Sequence, residues 1–299
     1  MRAVRFHEYG DPQVLTLEEA PEPHAAAGQV RIRVRATSVN SIDWKIRAGY
    51  LHEMMPTKFP AIPGSDAAGT VDQIGDGVEG VRVGDEVFGL AEGGAAELAV
   101  LNAWALKPHG WSFEQAAAAG LVSTTAIAGL DAVGDLAGKT VLIEGAAGGV
   151  GSAAVEMAVA RGANVVGTAS AAKHDFLRSL GATPVSYGVG LAERVAAVAP
   201  NGVDAALDTV GSGSLADLVA IVGTATKVAS VADFNAAALD VAMVLGSARA
   251  EENLPAAADL GASGAYQPRI EATYPLEQAA AAHAHVQNGH TQGKVVITV

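Results

Sequence analysis

Between residues 141 and 158 the chain reads VLIEGAAGGVGSAAVEMA, with Gly145, Gly148, Gly149 and Gly151 inside seven residues. A β-branched run precedes them and an alanine-rich stretch follows. Glycine at such positions allows a tight turn, lets the backbone approach a ligand, and lets helix and strand pack closely. A helix opening in this loop aims its unpaired N–H groups and the positive end of its dipole at an anion such as a pyrophosphate. Strand, loop and helix in succession within a βαβ unit therefore point to a dinucleotide site; alone, the same glycines also suit a structural turn.

The following strand discriminates between dinucleotides. A site for NAD calls for Asp or Glu at its end, about 20 residues on, to hold the ribose 2′-hydroxyl. Here ANVVGTASAAKHD offers Gly167, Thr168, Ala169 and Ser170 at that end, with no acid among them. Ser170, Lys173 and His174 supply donors and positive charge instead, which favours the 2′-phosphate of NADPH. The alternative roles are a helix N-cap for Ser170 and a solvated side chain for Lys173.

The elements that must position these groups fall into two kinds. From about residue 113 onward strands alternate with helices. Strands are expected at Thr140–Ile143, Asn164–Gly167, Pro184–Ser186, Asp204–Asp208 and Lys227–Val231, and helices near 150–161, 173–180, 190–199 and 213–221. That alternation predicts an α/β, doubly wound parallel sheet. A long helix starts near 113, with Ser112 as N-cap and Gln115 at capping-box distance. The first hundred residues read differently, as short strands punctuated by turns such as Gly10-Asp11-Pro12 and Gly84-Asp85. Val30-Arg31-Ile32-Arg33-Val34-Arg35 alternates strictly, with one face buried and one wet. Such segments predict a compact all-β barrel or sandwich. The tail has a helix near 276–288 and a last strand, GKVVITV, expected to rejoin the β-rich part.

Composition narrows the function classes. The 299 residues are 50% hydrophobic, enough for a substantial core, and carry a formal net charge of −13. An acidic chain lacks the cationic grip that nucleic acid or an anionic membrane surface requires. There is no cysteine, which removes disulfides, thiolate nucleophiles and thiolate metal sites. The N-terminal MRAVRFHEYGDP has no apolar signal-like core, and no apolar run of about 20 residues is free of glycine and charge. A cytoplasmic protein with neither nucleic-acid nor membrane partners is expected.

Taken together, VNSIDWKIRAGY, FPAIPGSDAAGTV, GDEVFG, SFEQAAAAGLVSTTAIAGL, GAAGGVGSAAVEMA, GTASAAKHDFLRSLGA, DAALDTVG and GHTQGKVVITV resemble the medium-chain dehydrogenase/reductase superfamily, nearly end to end. The zinc-free, NADP-dependent quinone oxidoreductase branch fits best. The resemblance implies a GroES-like β-barrel catalytic domain at 1–114, completed by 251–299, and a Rossmann domain at 115–250. It places the pyrophosphate loop at Ala146, Ala147, Gly148, Gly149, Val150 and Gly151. It also implies cofactor contacts from Asn40, Thr125, Tyr187, Ser230 and Lys294, beside Thr168, Ser170, Lys173 and His174 read above from the strand end; the structural alternatives are turn-building for Asn40, a helix-interior position for Thr125, an edge aromatic for Tyr187 and solvation for Lys294. Zinc-dependent relatives place their ligands at the positions of Asn40, Ser65 and Leu121, and this donor set makes no zinc site.

The catalytic candidates are Asn40, Asp43 and Lys45. An amide at Asn40 would polarise a substrate carbonyl. Asp43 also suits a helix cap. Many quinone reductases carry tyrosine two residues after this aspartate, where Lys45 stands here, so Lys45 either supplies charge or faces solvent and water is an alternative proton source. The expected activity is hydride transfer from NADPH to a small electron acceptor, a quinone or an α,β-unsaturated carbonyl. The alternatives are a 2-enoyl or alkenal double-bond reductase, or a protein that binds NADPH with little turnover. A homodimer is expected, joined at a sheet edge formed by Lys227–Val231 or by residues near 244–248.

Overall fold

The computed structural model describes residues 1–299, which divide into two compact units. The first comprises Met1–Leu121, Ala250–Ala262 and Pro268–Val299; the second comprises Val122–Arg249 and Ser263–Gln267. The division falls within one helix, later than the expected 114/115, because the helix beginning at Phe113 runs unbroken to Val133.

The first unit opens with a hairpin of β1 (Arg2–Arg5) and β2 (Thr16–Glu19). Its main sheet contains β3 (Val30–Val39), β4 (Asp66–Ile74), β5 (Glu86–Glu92) and β6 (Leu98–Leu106). Each strand pairs antiparallel with the next, and β3 pairs again with β6, so four strands close on themselves as a barrel. Closure removes the free edges that an open sheet would expose. The alternation read in β3 is observed: Val30 and Ile32 are fully buried with Val71, Val87 and Leu101, while Arg33 and Arg35 face outward. Each such aliphatic side chain contributes roughly 1.5–3 kcal/mol on leaving water.

Two helices serve this barrel. The first, α1 (Ser41–Arg47), follows directly on β3. The second element is the long α2 (Phe113–Val133), which starts as expected: Ser112 N–H donates to Gln115 Oε1 at 3.0 Å, and Gln115 N–H to Ser112 Oγ at 3.2 Å. By length and composition alone α2 could cross a membrane, although Gly120, Gly129, Glu114 and Asp131 interrupt it, so the reading that no run of about 20 residues is free of glycine and charge stands. Most of its apolar window is buried inside the protein, and that is the reason for its composition.

The second unit builds one six-stranded sheet. In chain order it contains β7 (Thr140–Glu144), α3 (Gly149–Ala160), β8 (Asn164–Thr168), α4 (His174–Ser179), β9 (Thr183–Val185), α5 (Leu191–Val198), β10 (Ala205–Asp208), α6 (Leu215–Val222), β11 (Val228–Ser230) and β12 (Ala242–Met243). The strands are all parallel, in the order β9-β8-β7-β10-β11-β12. The order reverses between β7 and β10, and ligands of doubly wound sheets bind beyond the carboxyl ends of the strands at that switch. Leu142, Val166, Ala206, Leu218 and Val228 form its core with the helices. Of the two expected dimer edges, Lys227–Val231 is corrected, since β11 is interior, flanked by β10 and β12; residues 244–248 follow β12, which with β9 forms the edges of the sheet.

The chain then returns to the first unit through α7 (Ala250–Ala262), β13 (Ile270–Pro275), α8 (Ala279–Gln287) and β14 (Lys294–Thr298). As expected, the last strand joins the β-rich part, antiparallel to β3 and parallel to β13. The sequence pattern gave no sign of α7, whose interior carries Pro255 and Gly261.

Candidate functional site

One group of candidate residues gathers where β3 ends, within the first unit. The register of β3 with β4 pairs Thr37 with Ala67, so the next residues, Ser38 and Asp66, face each other. The register of β14 with β3 pairs Val295 with Val39, so Lys294 meets Asn40. Three segments far apart in sequence thus deliver Asn40, Asp66 and Lys294 to one buried cluster. Asp66 is fully buried and accepts from Ser38 N–H at 2.9 Å, Ser38 Oγ at 2.7 Å, Asn40 Nδ2 at 2.8 Å and Leu121 N–H at 3.3 Å. Lys294 Nζ donates to Val39 O at 2.9 Å and Asn40 Oδ1 at 2.6 Å. The amide of Asn40 therefore links a buried carboxylate to a buried ammonium, with one of its N–H bonds outside the network. Solvation of Lys294 is corrected: only 6% of the residue is exposed.

Asp43 stands at the third position of α1, and its Oδ2 accepts the Asn40 backbone N–H at 2.7 Å, which caps the helix. Its Oδ1 takes a very short hydrogen bond from Ser65 Oγ. Burial, and next the negative charge of Asp66, push the Asp43 carboxyl up to about 6, against the pull of Ser65, the Asn40 N–H and Lys294. Burial draws Lys294 below its ordinary value, opposed by Asp66 and Asp43. Lys45 lies outside this network, half-buried, with Nζ 6.0 Å from the centre of the Trp44 ring. Ser65 and Asp66 have a faint signature in sequence, the Gly-Ser-Asp that opens β4, which reads as turn chemistry until the strand registers are known.

The residues at the zinc-ligand positions of relatives, Asn40, Ser65 and Leu121, offer an amide already engaged at both ends, a hydroxyl bonded to Asp43, and an alkyl side chain. Zinc sites are built from thiolate, imidazole and carboxylate donors, so this set does not fit the metal.

The second unit holds the glycine loop between β7 and α3. Gly145 has φ of +71°, a conformation that glycine adopts without strain. Its N–H donates to Thr168 Oγ1 at 3.1 Å, and Ala146 N–H donates to Thr168 O at 3.0 Å, tying the loop to the end of β8. At Gly151 a Cβ would lie 2.1 Å from Gly145 O, so helix and loop touch through backbone. Gly148 differs: a Cβ there would meet only Gly145 O at 3.5 Å, with open space beyond. The first turn of α3 has no side-chain cap, which leaves its N–H groups facing that space. Ala147, Gly148, Gly149, Val150 and Gly151 thus form a donor-lined cradle at the switch point, which fits the pyrophosphate of a dinucleotide.

Around the cradle the remaining candidates separate. Ser170, Lys173 and His174 lie together beyond β8, partly exposed, and His174 Nε2 is 3.5 Å from Ser186 Oγ. Ser170 opens the turn Ala171–Lys173 without giving it a side-chain cap. Tyr187 is half-exposed on the loop after β9, and Arg194 holds that loop through Ser186 O, Tyr187 O, Gly188 O and Val189 O at 2.8–3.2 Å. Sequence reasoning did not find Arg194, whose role depends on loop carbonyls that no side-chain pattern announces. Thr125 is mostly buried in α2, with Gly246 packed on its backbone.

Thr168 and Ser230 are 1% and 0% exposed, and both side chains are engaged in loop geometry. Thr168 shapes the glycine loop. Ser230 Oγ donates to Asp208 Oδ2 at 2.6 Å and accepts from Ala232 and Asp233 N–H, fixing the turn after β11. A further buried acid, Glu144, ends β7 opposite Asp208, with Ser212 and Ser214 donating to it. Burial, opposed by Ser214 and reinforced by Asp208, raises its pKa.

Residues 26–111 match the family described as "Alcohol dehydrogenase GroES-like domain", and residues 180–297 the family described as "Zinc-binding dehydrogenase". A 2-methylene-furan-3-one reductase of Solanum lycopersicum is 35% identical over 235 residues, covering 72% of this chain and 58% of that protein. The chain spans about 60% of the length of the curated relatives it matches first. Among solved structures, an alcohol dehydrogenase superfamily protein from Novosphingobium aromaticivorans superposes with a TM-score of 0.88 at 32% identity, over 100% of this chain and 99% of that one. The quinone oxidoreductase of Escherichia coli, solved in complex with NADPH, superposes with a TM-score of 0.85 at 25% identity, over 100% of both chains. With a barrel whose zinc-ligand positions hold no metal-binding donors and a parallel sheet with an open glycine cradle, the chain belongs to the medium-chain dehydrogenase/reductase superfamily, in its zinc-free, quinone oxidoreductase-like branch.

Proposed function

We propose that this chain is an NADPH-dependent reductase of quinones and α,β-unsaturated carbonyls. The observation that carries the reading is the cradle at Gly148, where uncapped helix N–H groups border space that the protein leaves open. Ser170, Lys173 and His174 at the end of β8 supply the donors and charge that a 2′-phosphate requires, with no acid to bind a 2′-hydroxyl. NADPH, when bound, supplies a hydride. The chain itself contributes orientation and hydrogen-bond donors: the second N–H of Asn40, and the hydroxyl of Ser65 once it is released from Asp43, hold an acceptor oxygen as negative charge develops on it. Conjugation spreads that charge, so such acceptors need no metal-strength electrophile. The quinone named for the Escherichia coli oxidoreductase and the 2-methylene-furan-3-one named for the Solanum reductase support the two acceptor classes. Homodimeric assembly and a cytoplasmic location belong to the same proposal.

The test is NADPH oxidation with 1,4-benzoquinone and with a small enone, alongside NADP-dependent oxidation of ethanol, each with and without a chelator. Chelator-insensitive turnover of the conjugated acceptors and little oxidation of ethanol are expected. Alcohol oxidation that a chelator abolishes would overturn the reading.

A further inference from the structure

Asp43 uses its two carboxylate oxygens differently. Oδ2 accepts the Asn40 backbone N–H, a group that can only donate. A proton on this carboxyl therefore resides on Oδ1, the oxygen against Ser65 Oγ. With the proton there, Oδ1 donates and Ser65 Oγ accepts, and the hydroxyl hydrogen of Ser65 turns away from Asp43. Asp43 is 4% exposed and Ser65 is half-buried, so Ser65 is the outward-facing member of the pair. The other charged groups near Asp43 are committed elsewhere: Asp66 to Ser38, Asn40 and Leu121, and Lys294 to Val39 O and Asn40 Oδ1. Neither hydrogen-bonds to Ser65.

We propose that Ser65 protonates the reduced acceptor and that Asp43, behind it, stores the proton. The acceptor oxygen forms a bond to the hydrogen of Ser65 Oγ, Ser65 Oγ takes the hydrogen of Asp43 Oδ1, and the electron pair of that last bond stays on Asp43 as carboxylate. Solvent returns one proton per turnover. The only redox change is the hydride transfer of the proposed reductase activity, on which this inference rests. The store is matched to its work: a buried carboxyl brought up to about 6 fills as the pH falls toward that value. An ordinary surface aspartate would stay empty there.

The test compares the parent protein with Ser65→Ala, which keeps the Asp43–Asn40 cap, and with Ser65→Thr, which keeps the hydroxyl. In the parent, kcat with the enone rises as the pH falls through about 6 and slows in deuterium oxide. Ser65→Ala lowers kcat by about a hundredfold, flattens that rise and removes the solvent isotope effect, while the Kd for NADPH is unchanged; Ser65→Thr restores all three. Independent of turnover, the infrared carbonyl band of protonated Asp43 titrates near 6 in the parent, shifts in Ser65→Ala and vanishes in Asp43→Asn. A parental pH profile and isotope effect in Ser65→Ala, or a band that Ser65→Ala leaves unmoved, overturns the relay alone. A parent that oxidises NADPH with neither acceptor overturns the reductase reading and the relay with it, whatever the infrared band shows.

Discussion

Lys173 illustrates what a single residue reveals before and after folding. In sequence it is a lysine near the expected end of a strand, suited either to a phosphate or to water. The structure sets it beside Ser170 and His174 just beyond β8, and the Ser170 side chain does not cap the turn it opens. A charge-assisted contact is worth about 1.5–3 kcal/mol. Lys173→Ala should therefore weaken NADPH about tenfold or more and leave NADH nearly unchanged, read by fluorescence titration. Equal losses for both would contradict phosphate recognition. Asp66 marks the opposite limit of legibility. An acid after Pro-Gly-Ser looks like turn chemistry, and nothing local shows that residues 38, 40 and 294 will close on it. Lys294 was ambiguous for the same reason: only the pairing of β14 with β3 removes it from water.

At the level of elements, the glycine loop was legible as a unit but its glycines could not be ranked from sequence. The structure ranks them. Gly148 has open space where a side chain would go and an ordinary negative φ, whereas a Cβ on Gly151 would collide with Gly145 O and, at 2.7 Å, with Ala146 Cα. Gly148→Val should keep the parent's thermal midpoint while losing roughly a hundredfold or more in NADPH affinity, because two charge-assisted bonds are displaced. Gly151→Ala should instead destabilise the unit by about 1–3 kcal/mol through overpacking. Calorimetry paired with NADPH titration checks both, and a Gly148→Val protein that binds like the parent would make the loop purely structural. Periodicity located the strands and helices around this loop because a parallel sheet buries continuous apolar runs. It failed at α7, where Pro255 and Gly261 mimic loop punctuation, and at the sheet edge, since strand order is not written in any one strand.

Over the whole molecule, the barrel unit is completed by a C-terminal segment that arrives more than a hundred residues after α2, and that long-range closure creates a pH response. His283 of α8 is 1% exposed, and burial, reinforced by the charge of Arg47 from α1, lowers its pKa from 6.5 to about 3. Arg47 is itself buried, with Nη2 2.5 Å from Gln287 Oε1. The imidazole is neutral in the fold and takes up a proton on unfolding at any pH between those two values. Its contribution is thus fully present above about 6.5 and is lost as the pH falls toward 3. Asp43 works in the other direction: raised from 3.8 to about 6, it favours the fold at low pH, and that contribution is lost as the pH rises from about 4 to 6. The two oppose each other between about 4 and 6, and below 4 the histidine acts alone. All three tryptophans, Trp44, Trp104 and Trp111, lie in the barrel unit, so their fluorescence follows its unfolding. In urea titrations His283→Gln, which cannot titrate, should lose the fall in stability toward low pH and leave the opposite trend of Asp43 unopposed between about 4 and 6. The stability difference between them should shift by about 2 kcal/mol in favour of the variant from pH 7 to pH 5, at 1.36 kcal/mol per unit of pKa difference. A difference that stays constant with pH would mean that His283 does not enter the barrel as a neutral group.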